Sequence, residues 1–295
     1  MIFRQSLFAF ASFCLLSSIG YGHYPENNAH VYDSLSLKTG ITEAQFNDAI
    51  DQVEAFYRPL YEEAFGAKLV INRNWRSSTV NASASINGST WTVNMYGGLA
   101  RRAEVTKDGF SKVLCHEVGH HVGGYPYYSS RWAAAEGQAD YFATLSCARE
   151  LWRDQLAANA KFRKSADSFA REKCDDVWDS EEDQNLCYRA MMAGKSLGEL
   201  LSNLGGTEAN FDTPDQNVVT KTATRHPVGQ CRLDTYMAGA LCEKEWDPSV
   251  IAGKQGSNSA SSETKTLPYT CMTSQGFDGY LEGVRPSCWF KSVLN

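Results

Sequence analysis

The stretch Cys115–Asp140, CHEVGHHVGGYPYYSSRWAAAEGQAD, decides how the rest of the chain is read. His116, Glu117 and His120 form H-E-x-x-H. Residues four apart share one face of an α-helix, so both imidazoles can turn toward one ion with Glu117 beside it. Zn²⁺ in a hydrolytic site takes three protein ligands and keeps one open position, so a third ligand has to come from elsewhere. Glu136 is the candidate. It opens a second predicted helix, with Trp132, Ala135, Ala139, Phe142, Ala143 and Leu145 at helical spacing, after Gly123, Gly124 and Pro126 end the first. Asp140 follows one turn later on the same face, placed to hold the other ring nitrogen of a ligating histidine. His121 is turned about 100° from His120 and is read as a non-ligand. The competing reading is a polar surface helix that carries the same letters.

The order H-E-x-x-H then E-x-x-A-D resembles the gluzincin class of metallopeptidases. It is most similar to the integral-membrane proteases that act on prenylated proteins and to their soluble periplasmic relatives. The likeness is close only over residues 110–145. It implies one zinc ion held by His116, His120 and Glu136, Glu117 as general base, and Asp140 as the carboxylate that orients a ligand. Asp140 as the third ligand, with Glu136 displaced from that role, stays open as the alternative.

A second likeness lies in Thr224–Cys242, TRHPVGQCRLDTYMAGALC. The same membrane proteases carry a T-H-P-like motif followed six residues later by Arg. Here His226-Pro227 and Arg232 keep that spacing, although Arg225 separates Thr224 from His226. The resemblance implies that His226 donates to the oxyanion and that Arg232 braces the Asp140 region or the substrate backbone. Against this, a histidine beside a proline is often a cap or a structural residue.

Residues 1–22 have one cation, Arg4, an apolar run from Leu7 to Leu16, and small residues at Ser18, Gly20 and Gly22. This reads as a signal peptide cleaved near Gly20 or Gly22, the run being short for a span of about 20 residues. No later segment has the length and hydropathy of a membrane span. Of 9 cysteines, Cys14 lies in the signal peptide. The even number that remains favours disulfides in an oxidising compartment, a bacterial periplasm or the extracellular space. Cys271 with Cys288 is the first expected pair and Cys174 with Cys187 the second. Cys231 and Cys242 should not pair with each other, because a helix between them would hold them about 16 Å apart. A net charge of −6 without any basic run argues against nucleic acid as a partner.

The remaining chain predicts an α+β protein of zincin-like kind. A small N-terminal antiparallel sheet with an edge strand precedes a mainly helical region that carries the zinc site. Residues 23–40 read as a polar, irregular lead-in. Residues 42–65 predict a core helix, with Phe46, Ile50, Val53, Phe56, Tyr57 and Leu60 inward, Thr42 as N-cap, Pro59 as a kink and Gly66 as the stop. Residues 68–75 change to strand period, and Asn87-Gly88 predicts a hairpin with strands near 79–86 and 89–96. By analogy with zincins, Trp91, Val93 and Met95 would line an edge strand that holds an extended peptide, or form an ordinary sheet edge. Gly97 and Gly98 would turn the chain away, and Asp108 would cap the helix bearing HEVGH. A helix should run on from Asp140 to about Asp154, and 155–205 should be helical and more polar. The organisation expected is a signal peptide over 1–22, a zincin-like peptidase domain over 23–250, a Gly/Ser-rich flexible linker or loop over 251–266, and a disulfide-stapled tail over 267–295. The functional expectation is zinc-assisted hydrolysis of a peptide or protein substrate. The alternatives are a catalytically silent binding or structural protein on the same scaffold, or a zinc hydrolase of a non-protein substrate.

Overall fold

The computed structural model describes the backbone of residues 22–30 and the residues 40–128, 132–205, 207–254, 257–271 and 282–294. The signal peptide expected over 1–22 therefore lies outside the described residues, apart from Gly22. The protein is α+β, with a small mixed sheet and a larger helical part.

Helix α1 (Glu43–Phe65) begins at a reciprocal cap. Thr42 Oγ1 accepts from Gln45 N at 3.2 Å while Gln45 Oε1 accepts from Thr42 N at 2.9 Å, satisfying two amides that a helix start leaves without intrahelical partners. The helix continues through Pro59 and stops at Gly66, whose φ of 60° is left-handed. Strands β2 (Lys68–Asn74), β3 (Thr79–Asn87) and β4 (Thr90–Tyr96) follow, and β3 and β4 form the hairpin expected around Gly88.

Two expectations about the sheet are corrected. Of the irregular lead-in expected over 23–40, residues 23–30 belong instead to strand β1 (Gly22–His30), which pairs antiparallel with β3, and 31–39 lie outside the described residues. The strand order is β1-β3-β4-β2, and β2 runs parallel to β4, so the sheet is mixed rather than antiparallel. It follows that β4 is not an edge strand. Trp91 pairs with Leu69 on one side and Ile86 on the other, Val93 with Ile71 and Ala84, Met95 with Arg73 and Ala82. A strand paired on both sides has no open edge to offer a peptide, and its hairpin partner alone, which is all the local sequence signals, does not show the second neighbour.

Gly97 and Gly98 do not make a simple turn. They open a short helix, α2 (Gly97–Ala100), and are glycine because of crowding: a Cβ on Gly97 would sit 1.7 Å from the Trp75 carbonyl oxygen. Helix α3 (Lys107–Val122) is capped by Thr106, which accepts from Gly109 N at 3.0 Å, and not by Asp108. Asp108 sits in the first turn and accepts two hydrogen bonds at 2.8 Å from Arg189. Every residue of α3 from Gly109 to Val122 is buried, because the helix lies between the sheet and α1 on one side and the later helices on the other.

The expected long helix after Asp140 is three segments in line: α4 (Glu136–Phe142), a π-helical stretch Ala143–Ala148, and α5 (Arg149–Trp152). Short helices α6 (Leu156–Asn159) and α7 (Phe162–Ser165) lead to α8 (Ser168–Val177) and the long α9 (Glu181–Gly205). Helix α10 (Gly229–Leu241) packs between α9 and α4, and α11 (Ala260–Thr264) follows in the tail. This last helix lies within the Gly/Ser-rich tract, where Ser262 and Glu263 are buried. Composition alone reads as a flexible linker or loop there. Glu263 instead accepts from Tyr125 and Ser292 side chains and from Val293 N, which fastens the tract to the C-terminus.

Four disulfides are formed: Cys115–Cys147, Cys174–Cys187, Cys231–Cys288 and Cys242–Cys271. Cys174–Cys187 is as expected, and Cys231 and Cys242 indeed do not pair with each other. Cys271–Cys288 is wrong. Those two cysteines do not staple the tail to itself; they fasten it to the two ends of α10, whose packing brings each within reach of one tail cysteine. Among the described residues no helix is long and apolar enough to cross a membrane.

Candidate metal centre

Helices α3 and α4 cross where Gly119 leaves room for them. A Cβ on Gly119 would lie 3.0 Å from Ala139 Cα and from its carbonyl oxygen, so a side chain there would push the helices apart. Through this close approach α3 presents His116, Glu117 and His120 to Glu136 in the first turn of α4, and all four are fully buried. Ligand atoms of His116, His120 and Glu136 all lie within 4.8 Å of one another. His116 Nε2 is 3.2 Å from Glu136 Oε2, and His120 Nε2 is 3.6 Å from Glu136 Oε1.

The other nitrogen of each histidine is fixed from behind. His116 Nδ1 donates to Asp140 Oδ1 at 2.7 Å and His120 Nδ1 donates to the Ala134 carbonyl at 2.8 Å. Both Nε2 atoms consequently face the gap, the tautomer and orientation that a metal ligand needs. Asp140 is tied down in turn: Arg232 donates to both its oxygens at 2.7 Å, and Tyr236 donates to Oδ1 at 2.7 Å. Arg232 is itself 1 % exposed. Asp140 thus stands one shell outside the gap and touches His116 through the nitrogen that does not face it.

His226 also reaches the centre, with Nε2 3.1 Å from Glu136 Oε2 and a side chain 13 % exposed. On the opposite side Tyr128 donates to Glu136 Oε1 at 2.6 Å. Thr224 O accepts from the Glu136 amide at 3.3 Å, so the segment carrying His226 is joined to the start of α4. His121 faces away: its Nε2 donates to Ser85 O at 3.2 Å and its Nδ1 accepts from Tyr61 at 3.0 Å. Trp91, Val93 and Met95 are core residues of β4 and are not brought to the centre as a peptide-binding edge.

The charges follow from burial and pairing. For His116, burial favours the neutral ring, but Asp140 and Glu136 outweigh it and raise the pKa to about 9. Burial dominates at His120 and lowers it to about 4. Burial opposes the charge of Glu136, yet His120, His116 and His226 hold its carboxyl well below the usual range. Asp140, desolvated but paired with Arg232 and His116, falls to about 2. Burial pushes Glu117 well above the ordinary carboxyl value, against the pull of His116. Neither carboxylate oxygen of Glu117, nor Nε2 of His120, has a hydrogen-bond partner among the described residues. Buried polar atoms left this way cost free energy unless something satisfies them. A cation among them would do so, and the N₂O donor set suits a divalent transition metal. His116, His120 and Glu136 could therefore hold a metal ion.

Another group of potential ligands, Asp215, Cys231 and Cys288, is not a competitor, because its two cysteines are bonded to each other. Sequence reasoning missed Tyr128 and Tyr236. Tyr236 had a signal, since it lies one turn from Arg232 on α10. Tyr128 sits in a loop and had none.

No family model, no curated protein and no solved structure matches the chain.

Proposed function

We propose that the chain is an exported zinc-dependent endopeptidase of the gluzincin kind, built on a zincin-like architecture. The observation that supports this reading most strongly is the convergence of three ligand side chains beside a buried carboxylate, Glu117, that has no hydrogen-bond partner among the described residues. His116, His120 and Glu136 would hold the ion, which when bound supplies Lewis acidity for a scissile carbonyl and acidifies a water molecule. Glu117 would serve as the base that accepts a proton from an attacking water and passes it to the leaving amine. Asp140, braced by Arg232 and Tyr236, keeps His116 in the tautomer that leaves Nε2 as a ligand. His226 Nε2, at the mouth of the centre, is the donor toward developing negative charge on the substrate oxygen. Four disulfides support export to an oxidising compartment.

The test is Glu117→Gln beside His116→Ala, scored by zinc content and by cleavage of casein and a peptide library. Glu117→Gln is expected to keep one zinc per chain and lose hydrolysis, and His116→Ala to lose both. Undiminished hydrolysis in Glu117→Gln would refute the mechanism.

One observation favours a second reading, a zinc-binding protein without turnover. All four central side chains are fully buried, and Glu136 is engaged by both Tyr128 and His226. Zinc-loaded protein that cleaves no member of the library would establish that reading instead.

A further inference from the structure

A cavity of about 500 Å³ opens beside the end of α1, under the segment 249–254 and the residues that follow α11. Phe65, Ile251, Pro268 and Tyr269 give it apolar walls, and Lys254 and Lys265 also line it. Its size is that of a small-molecule site, and its open lining mixes apolar side chains with two lysines. Among the described residues no Asp or Glu lines it, and neither lysine forms an ion pair with a carboxylate.

Lys254 is the informative residue. It is largely buried, and burial pulls its pKa down to about 8. Its ammonium donates to the His121 carbonyl at 3.1 Å and lies 4.6 Å from the Trp91 ring centroid. Neither contact is with an anion. Withdrawing an ammonium from water without a counter-charge is unfavourable, and a protein commonly offsets that cost with a paired anion. A lysine at the last turn of α3 also complements the helix carbonyls there. That role accounts for the bond to His121 but leaves the largely buried Lys254 beside the exposed Lys265 on a cavity where, among the described residues, no acid balances them.

We propose that this cavity binds a small organic monoanion, a carboxylate carried on an apolar body. The carboxylate is held by Lys254 and Lys265, and the apolar body lies against Phe65, Ile251, Pro268 and Tyr269. None of these residues belongs to the metal centre, so the site stands whether or not the chain is a peptidase.

Calorimetric titration of the full chain at pH 7 with sodium decanoate and with 1-decanol tests it. Decanoate is expected to bind once per chain and decanol about tenfold more weakly, the worth of a charge-assisted contact. Lys254→Met and Lys265→Gln should each weaken decanoate about three- to tenfold while leaving decanol unchanged. Ile251→Trp, which fills the cavity, should remove both. Should Lys254→Met fail to fold, the other two variants carry the same test. Absence of decanoate binding, equal affinity for the acid and the alcohol, or full decanoate affinity in the folded variants would overturn the proposal.

Discussion

Asp140 is the residue on which the order of the metal centre depends. It accepts from His116, from Arg232 at both oxygens and from Tyr236, all at 2.7 Å. Replacing it with Asn keeps the shape but turns one oxygen into a donor, which then faces either the Arg232 guanidinium or the Nδ1–H of His116. The ring of His116 loses its anchor and its basicity falls. If the centre holds zinc as proposed, Asp140→Asn is therefore expected to weaken that binding roughly 10- to 100-fold, the usual effect of removing such a partner. Competition with a chromogenic chelator reads this directly, and unchanged affinity would remove Asp140 from the centre. At this scale the sequence was most legible. His116, His120, Glu136 and Asp140 all have fixed helical offsets, four residues within each helix, and helical geometry alone puts each pair on one face. Tyr128 was not legible, because a loop tyrosine acquires its neighbour, Glu136, only from the tertiary path of the chain.

Among the elements, α3 is the axis, and Lys112 shows how it is held. This fully buried lysine donates to Thr144 Oγ1 at 2.9 Å in the π-helical stretch and to Ala190 O at 2.6 Å in α9, and it lies 5.0 Å from the Tyr236 ring centroid in α10. Burial lowers its pKa to about 7, although Asp140 and Asp108 pull the other way. The unfolded chain holds this proton up to about pH 10.4 while the folded protein releases it near 7. Between those values unfolding takes up a proton, so stability rises with pH, by at most about 1.4 kcal/mol per unit. His116 and Lys254 also titrate in this range, with opposite signs, so the rise is read as the difference in urea unfolding free energy between the native protein and Lys112→Met, which should grow from pH 7 to 10. A slope common to both proteins would mean that other groups cause it. Element by element, α1 was readable to its caps, because Thr42, Gln45 and Gly66 act within one turn. The neighbours of β4 were not: its antiparallel partner is signalled by Asn87-Gly88, whereas its parallel partner β2 is joined through the whole hairpin and leaves no local mark. Strand β1 was missed for the same reason, since its polar sequence becomes a strand only by pairing with β3.

At the scale of the whole molecule, the C-terminal tail is part of the structure around the candidate metal centre. Trp289 lies so close to Gly137, next to Glu136, that a Cβ there would fall 2.2 Å from its ring. Two disulfides hold that tail: Cys231–Cys288 closes 57 residues and Cys242–Cys271 closes 29, whereas Cys174–Cys187 closes 13 between neighbouring helices. A crosslink removes more freedom from the unfolded chain the longer its loop, about 4 kcal/mol for the longest of these and about 3 for the shortest. Replacing Cys231 and Cys288 together by serine should thus lower the unfolding free energy about 1 kcal/mol more than replacing Cys174 and Cys187. The two pairs differ more in what they do to the centre. Loosening Cys288 frees Trp289 beside Glu136, so the first double variant should also bind zinc less tightly. The second leaves every group around His116, His120 and Glu136 in place and should keep native zinc affinity. Denaturant unfolding and chelator competition on the same two variants separate the effects: equal zinc affinity in both would show that the tail supports the fold without supporting the centre.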